Sequence, residues 1–262
     1  MKMDDESTIN AASLLWEMMQ ENSQIDVLPE HCRPKTLDEG YAIQSQLENL
    51  TGLTVSGYKV GATNANVQKG FGINSPFFGR LYDNFIYSNK AFIHRGLVNS
   101  YAIEPEFDFI IGKTLSPRHT PFTELEVADA IDTVLPAIEI PDSRYKDWFK
   151  VKAPDLVADN AISGLLVMGV PEPSLSRDDF ISHHVEVQIN GNTVAHGLGS
   201  NVLGGPWKVL TWLANKLNSQ GMTLNAGSII TTGSASDVIY CGAGDAVKCD
   251  FGTLGCVSLE FE

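Results

Sequence analysis

Ile103-Glu-Pro-Glu-Phe-Asp-Phe-Ile-Ile111 and Val134-Leu-Pro-Ala-Ile-Glu-Ile140 are short apolar runs that carry three carboxylates, Glu104, Glu106 and Glu139. Residues two apart on a strand project from one face, so Glu104 and Glu106 point together. Ionised carboxylates are rare among Ile, Phe and Val unless a positive partner offsets their desolvation. A hard divalent cation with oxygen ligands is such a partner, and three carboxylates with open water positions suit Mg²⁺ or Mn²⁺. The same spacing also suits a strand with a wet face, with Glu139 an ordinary acid near Arg144.

Outward from these strands, the first fifty-odd residues read as helical. Ile9, Leu14 and Met18 have helical spacing over 8–21, and Thr36-Leu-Asp-Glu39 is a capping box opening a helix to about Leu50. The character changes at Leu53. Short β-rich runs follow at 55–60, 84–87, 103–111, 134–140, 163–168, 183–189, 228–232, 237–240, 246–249 and 255–261. Asn190-Gly191 is a hairpin turn signal. Helices are expected at about 123–132, capped by Thr123 and Glu126, and about 206–219, opened by Pro206. The class is α+β, a mostly β core with peripheral helices. A helical segment (1–54) precedes a β-rich catalytic domain (55–262), the two forming one functional unit.

The bulk numbers narrow the function. The chain has 262 residues, 43% hydrophobic and 19% charged, enough for a sizeable core. A net charge of −14, from 32 acidic against 18 basic residues, disfavours nucleic acid and anionic membranes as partners. Cys32, Cys241, Cys249 and Cys256 show no paired spacing, which fits reduced thiols in a cytoplasm. No run reaches the roughly 18 apolar residues of a membrane span, and the acidic start is no secretory signal.

Gly57-Tyr-Lys-Val-Gly61 sets Lys59 in an apolar run between glycines, which let the backbone approach a ligand or another strand. Such a lysine is stabilised by carboxylates and serves as acid, base or anion contact. Standing alone it would more simply snorkel to solvent. Asp159, Asn160 and Ser163 in the polar bend 155–164 are candidates to orient loops or contact a ligand, as turn chemistry also allows. Gly227-Ser-Ile-Ile-Thr-Thr-Gly-Ser234 is a strand ending in a small-residue turn suited to close approach. None of the six histidines has metal-motif spacing, and no G-x-S-x-G elbow is present.

Gly57-Tyr-Lys-Val-Gly61, Glu104-Pro-Glu106, Leu135-Pro-Ala-Ile-Glu-Ile-Pro-Asp-Ser-Arg144, Val157-Ala-Asp-Asn-Ala-Ile-Ser-Gly164, Trp212-Leu-Ala-Asn-Lys-Leu217 and Ala226-Gly-Ser-Ile-Ile-Thr-Thr-Gly-Ser234 come in one order. The series resembles the 2-keto-4-pentenoate hydratase and 2-oxo-3-hexenedioate decarboxylase family of the fumarylacetoacetate hydrolase superfamily, over nearly the whole chain. The resemblance implies a mixed β-roll core and Mg²⁺ or Mn²⁺ held by Glu104, Glu106 and Glu139. It also implies a small 2-keto or 2-hydroxydienoic acid chelated by that metal, with Lys59 as the active-site lysine. Val60 and Ser163 are the candidate substrate contacts. A homo-oligomer serving bacterial aromatic breakdown is implied, with a complex with a related decarboxylase or hydratase as a further expectation. The expected reaction is hydration. Decarboxylation of a 2-oxo-3-enedioate, carbon–carbon bond hydrolysis and a non-catalytic keto-acid-binding subunit are the alternatives.

Two departures stand out. Where relatives carry acids in a Gly-Val-Asp-x-Pro-Asp-Phe-Gly loop, this chain has Asn74 and Phe77. Where an arginine often precedes the first metal carboxylate, it has Ala102. Arg80 in the altered loop is expected to take over anion pairing from that arginine.

Overall fold

The computed structural model describes residues 3–170 and 179–262. The chain begins with α1 (Asp5–Glu21) and α2 (Leu37–Thr51), then runs β1 (Val55–Gly61), α3 (Ala65–Phe71), β2 (Phe77–Tyr82), β3 (Ile86–Ser88), β4 (Ala91–Ile93) and β5 (Ala102–Ile111). It continues with α4 (Glu124–Asp129), β6 (Ile131–Ile140), α5 (Ala153–Ala158), β7 (Leu165–Met168), α6 (Asp179–Ser182), β8 (His184–Ile189) and β9 (Asn192–Leu198). The last elements are α7 (Pro206–Ser219), β10 (Ile229–Ser234), β11 (Ile239–Tyr240), β12 (Ala246–Asp250) and β13 (Cys256–Phe261).

Both expected capping boxes form. The Thr36 and Thr123 side chains each accept from the backbone N–H of the glutamate three residues on, and the glutamates reach back. Asn190 and Gly191 both take positive φ, 52° and 78°, as a tight hairpin between right-twisted strands requires. The helix expected over 123–132 stops at Asp129, and from Ile131 the chain pairs with β5 instead. The β2 strand lay in a stretch with no visible strand pattern. All six of its residues are buried, so the alternation that marks a half-buried strand is absent.

Two sheets organise the molecule. The larger runs β2-β1-β10-β5-β6-β7-β3, with β11 pairing β5, and mixes parallel and antiparallel neighbours. The smaller runs β4-β13-β12-β8-β9. Leu15, Ile43 and Leu47 of the N-terminal helices share one apolar core with Phe107, Ile138, Leu213 and Phe261. The helical segment therefore packs as part of the same body. No described helix is long and apolar enough to cross a membrane.

Candidate metal and substrate site

The acidic face is built by register. On β5, alternation puts Glu104, Glu106 and Asp108 on one face, and Glu104 stands directly opposite Glu139 of β6. One carboxylate oxygen from each of Glu104, Glu106 and Glu139 lies within 4.8 Å of the others. In the sheet order, β10 and β5 separate Lys59 of β1 from Glu139 of β6. Three strand spacings span about 14 Å in a flat sheet, yet Lys59 Nζ lies 3.0 Å from Glu139 Oε1. The sheet curls so that these side chains meet across its concave face.

The electrostatics of this cluster are those of a site that needs a cation. Glu106 and Glu139 are buried, and Glu106 Oε1 and Glu139 Oε2 have no hydrogen-bond partner among the described residues. Burial, then the charge of Glu139, pushes the Glu104 carboxyl up to about 7. Burial and the neighbouring carboxylates raise Glu106 well above the ordinary range. Burial alone would lower Lys59, but Glu139, Glu104 and Glu106 hold its ammonium charged and raise it. An oxygen-only set of three mutually repelling carboxylates with unpartnered lone pairs fits Mg²⁺ or Mn²⁺. The cation would supply the charge whose absence raises these carboxyls.

Backbone geometry supports the cluster on two sides. The Gly233 N–H donates to Glu106 Oε2 at 2.7 Å. A Cβ at Gly233 (φ 96°) would sit 1.9 Å from Thr63 Oγ1, so the small-residue turn here makes close approach possible. On the other side, Asn160, Ala161 and Ile162 take φ of 50°, 55° and 54°, a left-handed run costly for residues with side chains. That run aims the Ala161 carbonyl at Lys59 Nζ, 3.1 Å away. Asn160 pins the run to β2: its Oδ1 accepts from the Arg80 N–H at 2.7 Å, and its Nδ2 donates to the Arg80 carbonyl at 2.9 Å. Asp159 accepts from Ser143 Oγ, from the Arg144 N–H and from the Arg144 guanidinium.

Several expected contacts fall elsewhere. Arg80 is buried on the face of β2 turned to α2, where it pairs with Glu48 and donates to Gln44 and Ser45. The anion-pairing role expected of it is therefore corrected: its cross-strand partner is Tyr58, one residue out of phase with Lys59. Ser163 lies outside the cavity of Lys59. It lines a space of about 40 Å³ beside Asp142 and Arg144, and its carbonyl accepts from the latter. Val60 lines the Lys59 cavity, but alternation turns its side chain to the opposite face, leaving its backbone to the site.

Other contributors were not singled out from the sequence. Asp108 continues the two-residue period of Glu104 and Glu106, is fully buried, and has no hydrogen-bond partner for either oxygen among the described residues. Burial, then Glu139, raises it well above the ordinary carboxylate value. Lys59 and Glu104 open into a cavity of about 360 Å³, walled by Phe71, Phe77, Trp148 and Phe149, with His196 and Asp237 also lining it. The Phe77 ring fills the space a Cβ at Gly61 would need. A roomier groove of about 850 Å³ borders α2, but its Arg80 and Glu39 are already bound to Glu48 and to the helix cap.

The family model for the fumarylacetoacetate (FAA) hydrolase C-terminal region matches residues 60–261. The chain belongs to the fumarylacetoacetate hydrolase family. Within that family, it is 33% identical over 255 residues to a 2-keto-4-pentenoate hydratase of Paraburkholderia xenovorans, covering 96% of this chain and 94% of the relative. It is 32% identical over 253 residues to a 2-hydroxyhexa-2,4-dienoate hydratase of Comamonas testosteroni, covering 94% of each. Among solved structures, 4-oxalocrotonate decarboxylase from Pseudomonas putida G7, complexed with magnesium and adipate, superposes with a TM-score of 0.92 at 26% identity. That match covers 100% of this chain and 99% of that one. The same decarboxylase is also known with calcium and acetate. The mixed sheet, curled into a half-barrel with a helical N-terminus, is the fold expected from the resemblance.

Proposed function

We propose that this chain is a metal-dependent hydratase that adds water to a 2-hydroxydienoate or its 2-keto-4-enoate form, giving a 4-hydroxy-2-keto acid. The observation that carries the reading is the clustering of Glu104, Glu106 and Glu139 with Lys59, of which Glu104 and Lys59 open into one cavity. Glu104, Glu106 and Glu139 would hold Mg²⁺ or Mn²⁺, which when bound supplies Lewis-acid polarisation of the substrate's C2 oxygen. The Lys59 ammonium, fixed between Glu139 and the Ala161 carbonyl, stabilises negative charge as it builds on that oxygen. Val60 offers its backbone to the substrate, and Phe71, Phe77, Trp148 and Phe149 give its tail an apolar wall.

Decarboxylation of a 2-oxo-3-enedioate is the second reading, favoured by the likeness to 4-oxalocrotonate decarboxylase. Its substrate carries a second carboxylate at the far end. Among the described residues lining the cavity there is no arginine, and no lysine besides Lys59. A buried carboxylate without a cationic partner is costly, and His196 is the one remaining described group on the lining that could pair with such a tail. Homo-oligomerisation, and a complex with a related decarboxylase or hydratase, belong to the same proposal and are read by light scattering.

The test follows the ultraviolet decay of 2-hydroxypenta-2,4-dienoate with and without Mg²⁺ or Mn²⁺, with product mass as the second readout. Metal-dependent gain of one water, lost in Glu106→Gln, is expected. Release of CO₂ from a keto-dioate, with no hydration of the monoacid, would overturn the hydratase in favour of the decarboxylase.

A further inference from the structure

Hydration of a dienoate through its conjugated ketone requires protonation of C5, four bonds from the C2 oxygen, and deprotonation of the water that adds at C4. Lys59 cannot serve that end, because Glu139 and the Ala161 carbonyl hold its ammonium beside the carboxylate triad. Among the described residues, the other titratable groups on the cavity wall are Glu104, which belongs to the triad, and His196 and Asp237. Asp237 is exposed and sits on the loop that follows β10. Imidazole is the side chain suited to both giving and taking a proton there.

We propose that His196 is the proton-transfer group for the distal carbons of the substrate, an inference that rests on the hydratase reading. His196 belongs to β9, the edge strand of the smaller sheet, yet it faces the cavity built on the larger one. Its position there is fixed. A Cβ at neighbouring Gly197 would lie 2.5 Å from the Ala235 carbonyl, so the two chains are in close contact. The same carbonyl accepts from the Leu198 N–H at 3.0 Å and from Asn201 Nδ2 at 2.8 Å. This ties β9 to the Ser234–Ser236 segment, which lines the cavity too. Glu186 stands directly opposite His196 on β8, and its carboxylate is held by Gln188 Nε2 at 2.6 Å and Thr193 Oγ1 at 3.0 Å. A fixed carboxylate therefore stands beside the ring on the same sheet face.

The proton balance closes. The enol proton leaves to solvent on binding, and the imidazolium gives its proton to C5 of the dienolate, leaving the conjugated 2-keto-3-enoate and a neutral imidazole. The oxygen of water then bonds to C4, the C3–C4 π pair moves toward the C2 oxygen, and His196 takes the water's proton. C3 finally takes a proton from solvent, equal to the one released on binding. The net change is one water added, with His196 back in its starting state.

The experiment measures kcat and KM for hydration of 2-hydroxypenta-2,4-dienoate in wild type and His196→Ala, with and without added imidazole. Because His196 is exposed on an edge strand, the variant is expected to melt with the wild type. A fall in kcat of roughly 10²- to 10⁴-fold with KM little changed, partly restored by free imidazole, is the expected result. Unchanged kcat, or a fall that imidazole does not restore, overturns the assignment while the hydratase reading stands. A rise in KM confined to a keto-dioate would instead make His196 an anion contact. Absence of any turnover in wild type overturns the hydratase reading, and the assignment with it.

Discussion

Lys59→Met tests the electrostatic account of the site most directly. The variant keeps the side chain's bulk but removes the ammonium 3.0 Å from Glu139 and the hydrogen bond to the Ala161 carbonyl. Removing one partner of a buried ion pair costs about 3–5 kcal/mol, because the remaining charge stays desolvated and unpaired. For a chain of this size, 1 kcal/mol moves the melting temperature by about 2–4 °C, so the metal-free variant should melt about 6–20 °C below wild type at pH 8. The loss should shrink at lower pH. Glu104 takes up its proton near pH 7, so below that there is less negative charge for the ammonium to balance. A divalent cation should restore part of the loss by supplying positive charge at the same carboxylates. The assay is thermal unfolding followed by circular dichroism at pH 5.5 and pH 8, with chelator and then with saturating Mg²⁺. A variant melting within about 2 °C of wild type at both pH values, set against the 3–5 kcal/mol expectation, would refute the buried pair.

Three further outcomes follow from the same geometry. Glu106→Gln removes a ligand charge that the Gly233 N–H holds in place. Mn²⁺ affinity by calorimetry should fall by at least the roughly 10–100-fold that loss of an outer-shell partner costs, and unchanged affinity would remove Glu106 from the metal set. The metal-free wild type should lose stability with rising pH. The folded Glu104 carboxyl is raised from 4.5 to about 7, so its contribution is full below 4.5 and gone above 7. The shift corresponds to about 3 kcal/mol; an apo melting temperature that is flat or rising across this window would contradict it. Gly79→Ala would put a Cβ 2.1 Å from the Asn160 carbonyl. It should cost about 1–3 kcal/mol and displace the Ala161 carbonyl from Lys59, lowering both melting temperature and turnover; wild-type values for both would show that the turn yields freely.

Much of the fold is local and was legible as such. Thr36 with Glu39 and Thr123 with Glu126 cap helices because the bonds close within one turn. Asn190-Gly191 turns a hairpin because both positions must take positive φ. The two-residue period of Glu104 and Glu106 put both on one face before any contact was known. The β2 strand was missed because complete burial erases alternation, and the left-handed run at Asn160–Ile162 because nothing local favours it. Contacts to β2 and to Lys59 hold that run in place.

By itself, the sequence determined which chemistry was available: paired carboxylates on one strand face, a third on the next strand, and a lysine between glycines. Those follow from strand period and side-chain type, which need no long-range information. The tertiary structure decided which of these groups meet. Curling of the large sheet brings Lys59 to Glu139 across two intervening strands. Close contact of β9 with the Ser234–Ser236 turn carries His196 to the same cavity, while one residue of phase sends Arg80 to the helices instead. Sheet curvature and packing are set by the whole core at once, so no window of the chain contains them.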